Sequence, residues 1–346
     1  MIFSDHPSSR PVVPTTVRTK KGIRGLMLHV IYRSYGGENH KGRPDYYSKH
    51  LALRSFIRAV EHCTVPVEVI YLNDGPIPAE LLALMRATGE VVARAKLGNK
   101  GAVRAALALP RQRGWPDDDL VWLAEDDYLY RPEALSVLAA APAVFPSADY
   151  FALYVSVTAH PAPGTEQPSF APIPREWRDS EPRLVAGHTW QRALSTTGTY
   201  GATVRALSED NRLLRVALWS GAGWDHTMCL LYQGFQPFPW PAVLRKARGA
   251  EAPRPLNLFR RARFIVIASI RAGLNLWQMV RRGPRRELVA VEPALVTHME
   301  TGWIAPGTDW TAVAAGSAAW SRPGDQRAGR EQPSTGRGPG SNRVSA

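Results

Sequence analysis

Cysteine is almost missing from this chain: its 346 residues include two, Cys63 and Cys229. That is too few for a disulfide framework or a cysteine-built zinc site. The sequence has no clean run of 18 apolar residues, and no basic-then-apolar leader opens it. Neither a membrane span nor secretion is expected, and the expected location is the cytoplasm. Acidic residues are also short, 30 against 43 Lys and Arg, which leaves a net charge of +13. Apolar residues are not scarce: at 45% hydrophobic and 9% aromatic, the chain can bury a sizeable core and wholesale disorder is excluded.

The excess positive charge is confined to three stretches. Arg10, Arg18, Lys20, Lys21 and Arg24 face only Asp5 near the start. Residues 245–286 carry twelve basic side chains against Glu251 alone, and five arginines beyond Ser321 face Asp325 and Glu331. The rest of the chain is mildly acidic. A protein that grips nucleic acid across its surface would spread its charge differently, so no nucleic-acid partner is expected. A local anionic partner, such as the inner face of a membrane, fits the pattern better.

Residues 1–22 read as a flexible leader and residues 321–346 as a disordered tail, because both lack hydrophobic periodicity. Between them lies a single expected domain, residues 23–320. Its first half, residues 23–158, alternates strands and helices. Strands are expected at 26–32, 67–72, 90–97, 120–124 and 150–157. Helices are expected at 45–63, 78–88, 99–109 and 132–140. This alternation predicts an α/β fold with a mostly parallel central sheet flanked by helices. The second half, residues 159–320, is less regular. It holds a proline-rich loop at 161–174, a helix at 208–219, another opening at Gly221–His226, and the basic insertion 245–286. The insertion's apolar centre suits a helix over 256–282, which would serve as a flap, a membrane-surface helix or a packed helix with solvated ends.

In parallel sheets, ligands collect beyond the carboxyl ends of the strands. Two polar clusters fall there, Asn73-Asp74-Gly75 and Glu125-Asp126-Asp127. Adjacent carboxylates at the end of an apolar strand repel one another and lose hydration, so a divalent cation is one natural compensation and a solvated acidic turn the other. On an extended chain Glu125 and Asp127 would share one face, and oxygen ligands suit Mg²⁺ or Mn²⁺. Asp74 suits either a nucleoside contact or ordinary turn chemistry. His298, after a short apolar run, would either complete a metal shell begun by Asp127 or be structural. Asp225 would be a general base or a helix-start carboxylate that complements the dipole.

Taken in order, these residues resemble the GT-A-fold glycosyltransferases, particularly the family-2-like enzymes that use nucleotide-diphosphate sugars. The likeness runs from Arg33 and Ser34 beyond the first strand, through VEVIYLNDGP (67–76), to Leu97–Gly101 with Arg104, and on to LVWLAEDDYLYRPEAL (120–135). It continues through Ser195–Gly201, which resembles the acceptor-side strand and loop, through GWDHTMCLLYQG (223–234), and to His298. The first carboxylate of the triplet is Glu rather than the commoner Asp, and the usual Glu-Asp base pair appears as Trp224-Asp225. The resemblance implies a GT-A-like, Rossmann-like sheet and a metal-dependent, inverting glycosyltransferase that moves a sugar to an acceptor hydroxyl. That acceptor would be a sugar, a lipid-linked molecule or a small molecule. It implies donor contacts at Arg33, Asp74, Asn99, Lys100, Arg104, Glu125 and Asp126, and Mn²⁺ or Mg²⁺ on Asp127 and His298. Asp225 would be the base, with Trp224, Trp190 and Tyr200 stacking on sugars. The alternatives are a sugar-phosphate nucleotidyltransferase and a non-catalytic binding protein that uses its basic segments on membrane or nucleic acid. For the nucleotidyltransferase, Tyr35-Gly36-Gly37-Glu38 is a poor phosphate loop.

Overall fold

The computed structural model describes residues 25–39, 41–154, 181–221, 223–249, 257–281 and 285–322. The expected leader, nearly all of the expected tail and the proline-rich loop at 161–174 lie outside the described residues.

The first half alternates as expected: β1 (Leu28–Tyr35), α1 (Lys49–Glu61), β2 (Val67–Asp74), α2 (Ala79–Arg86), β3 (Glu90–Arg94), α3 (Gly98–Arg113), β4 (Leu120–Glu125), β5 (Tyr128–Tyr130), α4 (Ala134–Val144) and β6 (Tyr150–Ala152). The second half contributes β7 (Arg183–Val185), β8 (His188–Arg192), β9 (Tyr200–Thr203), α5 (Val204–Ala217), α6 (Trp224–Tyr232), α7 (Trp240–Ala247), α8 (Leu258–Val280), β10 (Leu288–Glu292), β11 (Val296–His298) and α9 (Trp310–Ala319). Nine strands form one sheet in the order β3-β2-β1-β4-β9-β6-β10-β8-β7, while β5 and β11 pair separately as an antiparallel ribbon.

β3, β2, β1 and β4 are parallel to their neighbours, as are β6 and β10. β9 runs antiparallel to both β4 and β6, and β8 runs antiparallel to β10 and β7. Most paired residues are therefore in parallel register, and the irregular half supplies the antiparallel strands.

The central strands are apolar on both faces because helices cover both. In β1, Leu28, Val30 and Tyr32 enter one core, with residues of α1, α2, α4 and α9. Ile31 enters the opposite core, with residues of α3, α5, α6 and α8. β4 divides the same way, Leu120, Trp122 and Ala124 against Val121 and Leu123. Because β2, β1 and β4 run parallel, their polar carboxyl ends emerge together at one edge of the sheet.

Some boundaries moved for local reasons. α1 starts at Lys49 because the Ser48 side chain accepts from Leu51 N–H, a serine N-cap. β4 stops at Glu125, where a turn through Asp126 and Asp127 leads into β5. The β7–β8 hairpin closes on Ala186 and Gly187, both at positive φ (47° and 81°), the conformation of a type I′ turn.

Candidate active site

The carboxyl ends of β1, β2 and β4 open into a cavity of about 720 Å³. Register explains the convergence, since Arg33 of β1 lies opposite Glu125 of β4, and Tyr35 opposite Asp74 of β2. Arg33, Asp74, Asn99, Glu125, Asp126, Asp127, Trp224, Asp225 and His298 all line the cavity. The β5–β11 ribbon bridges the longest separation, because it pairs Tyr128 with His298 and so sets the histidine beside the acidic triplet.

Each triplet carboxylate has its own cationic partner. Arg33 Nη2 donates to Glu125 Oε1 at 2.5 Å and Arg33 Nη1 to Asn99 Oδ1 at 3.3 Å, while the Thr199 hydroxyl donates to Glu125 Oε2. Asp126 Oδ2 accepts from Tyr35 N–H at 2.8 Å, from Lys49 Nζ at 2.9 Å and from the Ser34 hydroxyl at 3.3 Å. Asp127 Oδ2 accepts from both terminal nitrogens of Arg43 at 3.2 Å and lies 3.0 Å from His298 Nε2. The Tyr128 ring stacks on His298 at 4.9 Å and orients it.

Glu125 and Asp127 do reach one cavity, but through the turn at Asp126–Asp127 rather than through strand alternation.

Ionisation follows these partners. Burial works against the charged form of Asp127, but the hydrogen bond and charge of His298, helped by Arg43, hold its carboxyl at about 2. Burial raises Asp126 above the usual carboxylate range against the pull of Lys49. Burial also raises Asp225, and the negative charge of Glu125 adds to that rise, while the His226 N–H pulls the other way.

Several expectations need correction. Trp190 is fully buried beside Phe145 and Phe151, and Tyr200 is buried against Tyr150, so neither reaches a sugar in the cavity. Both rings are core side chains. Lys100 and Arg104 lie outside the cavity lining: the Lys100 ammonium sits over the Trp219 ring at 5.2 Å, and Arg104 is exposed on α3. Both oxygens of Asp74 are engaged by backbone, accepting from the N–H groups of Leu97 and Gly98 at the start of α3, although the side chain still borders the cavity.

Sequence reasoning missed Lys41, Arg43, Lys49 and Glu300. Lys41 bonds Glu300 at 2.5 Å, and Glu300 lies 3.5 Å from His298 Nδ1. Glu300 had a readable signal, standing two residues after a suspected ligand. Arg43 sits in an aperiodic loop that offered none.

A divalent ion can be tested against this donor set. Among the described residues, no group of three or more His, Cys, Asp and Glu side chains is arranged to hold a metal. Asp127 Oδ2 and His298 Nε2 nevertheless stand 3.0 Å apart, near the separation of about 3 Å between adjacent ligands on an octahedral ion with bonds of about 2.1 Å. Such ions are commonly held by one or two protein ligands plus substrate phosphates, so the pair fits as two of the six ligands of a shared shell. Carboxylates also outnumber cations in the lining, where Asp74, Glu125, Asp126, Asp127, Asp225 and Glu300 face Arg33 and Lys41.

No family model and no curated protein sequence matches this chain. Solved structures do. S. aureus TarS 1–349 aligns at 13% identity with a TM-score of 0.37, over 59% of this chain and 54% of that one, so the chain spans about half of that structure's length. CMP:2-keto-3-deoxy-manno-octonic acid synthetase, complexed with CTP, aligns at 15% identity with a TM-score of 0.35, over 60% of this chain and 83% of that one. Glucosyl-3-phosphoglycerate synthase from Mycobacterium tuberculosis, in complex with Mg²⁺ and UDP, aligns at 13% identity with a TM-score of 0.32, over 58% and 68%.

Proposed function

We propose that the chain is a metal-dependent glycosyltransferase that moves a sugar from a nucleotide-diphosphate donor to an acceptor hydroxyl with inversion. The observation that carries this reading is the meeting of Asp74, Glu125–Asp127, Asp225 and His298, spread over more than 220 residues of sequence, in one cavity at the carboxyl edge of the sheet.

Donor binding falls to the β-strand ends, with Arg33, Asn99, Asp74 and the triplet bordering the nucleotide's path. Asp127 and His298 would hold Mn²⁺ or Mg²⁺, which when bound supplies the charge that neutralises the departing diphosphate. Asp225, which lines the cavity at the start of α6, accepts the acceptor's hydroxyl proton as its oxygen attacks the anomeric carbon. One base and one in-line displacement give inversion. Of the three rings expected to stack on sugars, Trp224 is the one that borders the cavity.

The nucleotidyltransferase reading needs an open glycine-rich loop after β1. Gly36 does not supply one: a Cβ there would stand 1.8 Å from the Pro76 carbonyl oxygen, so this glycine allows two loops to pack closely.

A thermal-shift screen of nucleotide sugars, with and without Mn²⁺, tests the proposal. The expected result is a melting shift for at least one donor that depends on Mn²⁺, disappears in Asp127→Ala and persists in Asp225→Asn, with turnover lost in both variants. A donor shift indifferent to both Mn²⁺ and Asp127 would sink the metal-dependent mechanism. The location favoured by this reading is the cytoplasm, at the inner membrane face.

A further inference from the structure

The basic insertion takes in the last three residues of α7 and the whole of the 23-residue helix α8. One face of α8 is fixed to the body. Asn275 is buried and exchanges hydrogen bonds with the backbone of Phe238, Arg271 Nε donates to Ser220 O at 2.8 Å, and Gln278 donates to Leu231 O. Ala268 and Leu274 are buried on the same side. These contacts fix the helix's rotation, so its other face cannot roll inward.

That other face is apolar. Phe259, Ile265, Val266, Leu276, Trp277 and Val280 are all exposed, Phe259 at 79% and Val280 at 76%. At about 100° per residue they fall within an arc of about 120° running the length of the helix. Ala262, Ser269 and Gly273 fill the gaps in the arc without a charge. A globular helix ordinarily turns such a stripe inward, and α8 does the reverse. Arg261 and Arg263 are exposed and lie about 40° beyond either edge of the stripe. The helix contains four arginines and no acidic residue.

We infer that this face of α8 seats on an anionic phospholipid surface, with the apolar stripe among the upper acyl chains and Arg261 and Arg263 at headgroup level. Long basic side chains flanking an apolar arc are how an interfacial helix lies in the membrane plane. Charge selects this occupant over a second copy of the chain, because two such faces would set arginines against arginines with no carboxylate on either helix. Spanning is excluded for α8, since among the described residues no helix is long and apolar enough to cross a membrane. Arginines beyond the far end of α8 are engaged with the body: Arg286 is buried on Asp210 and Asp149, and Arg281 pairs with Asp210. Headgroup contact is therefore concentrated at the first turns of α8.

The test is co-sedimentation of the full chain with vesicles of phosphatidylcholine alone and of phosphatidylcholine mixed with phosphatidylglycerol. Light scattering runs in parallel. The expected result is binding to the anionic vesicles that weakens with salt. Arg261→Gln with Arg263→Gln should reduce it about 30-fold, at roughly 1 kcal/mol per basic residue. Ile265→Glu with Trp277→Glu should abolish it. All these positions are exposed and outside the cavity, so any donor-induced melting shift should survive in both variants. Three results overturn the inference: wild type left in the supernatant, binding unchanged by either pair, or a dimer that the glutamate pair dissociates. A wild-type chain that shows the donor shift but stays in the supernatant refutes this surface alone. A wild-type chain that binds vesicles and no nucleotide sugar refutes the transferase reading alone.

Discussion

Arg33 and Glu125 face each other across the β1–β4 register, with the Arg33 side chain 7% exposed and that of Glu125 26%. Removing the guanidinium leaves a half-buried carboxylate beside Asp126 and Asp127. Arg33→Met should therefore lower stability by about 2 kcal/mol in denaturant unfolding, and adding Glu125→Leu should recover part of that loss. Asp225 makes a pH prediction. A base works only when ionised, and burial together with the charge of Glu125 moves this carboxyl upward. The acid limb of kcat/KM should therefore lie above the ordinary aspartate range of about 3.9. A limb at or below that range would count against Asp225 as the base. Residue identity read with position anticipated the meeting of Asp127 and His298 in one cavity. It misled for Trp190 and Tyr200, since an aromatic ring reads the same in a core as against a sugar. It was silent for Arg43, whose reach to Asp127 is set by a loop path that no period encodes.

Elements carry a second set of consequences. Asp74 ends β2 and caps α3 through the N–H groups of Leu97 and Gly98, so it joins a strand to a helix as well as bordering the cavity. Asp74→Ala should cost about 1 kcal/mol of stability, the usual value of a lost cap, in addition to any weakening of donor binding. Arg286 joins three elements in one buried cluster: its Nε donates to Asp210 of α5 at 3.0 Å, Nη1 reaches Asp149 just before β6 at 3.3 Å, and Nη2 bonds Glu209. Arg286→Ala should destabilise the protein by about 3–5 kcal/mol, and Arg286→Lys should restore little, because an ammonium cannot make the forked contacts. A lower melting temperature in both variants checks this. The helices and strands of the first half were readable from their two- and 3.6-residue periods. The β5–β11 ribbon was not, because its three-residue strands stand more than 160 residues apart and neither carries a pattern of its own.

At the scale of the molecule, the sequence's split into a regular and an irregular half does not describe how the sheet is assembled. β9, from the irregular half, is inserted between β4 and β6 of the regular half and hydrogen-bonds to both. β10 then covers the free side of β6. A chain cut after residue 158 would keep every strand that positions Arg33, Asp74 and Asp127, yet would leave β4 and β6 without the neighbour that joins them. Such a fragment should be recovered as aggregate, since unpaired central strands template one another. Supplying residues 159–322 in trans during refolding should raise the soluble yield. The inserted strand also bears on ancestry and engineering. The first half therefore cannot be lifted out of this protein and grafted to a new partner as an independent cassette, and under the proposed transferase reading a change of acceptor would have to come from altering loops within an unbroken chain.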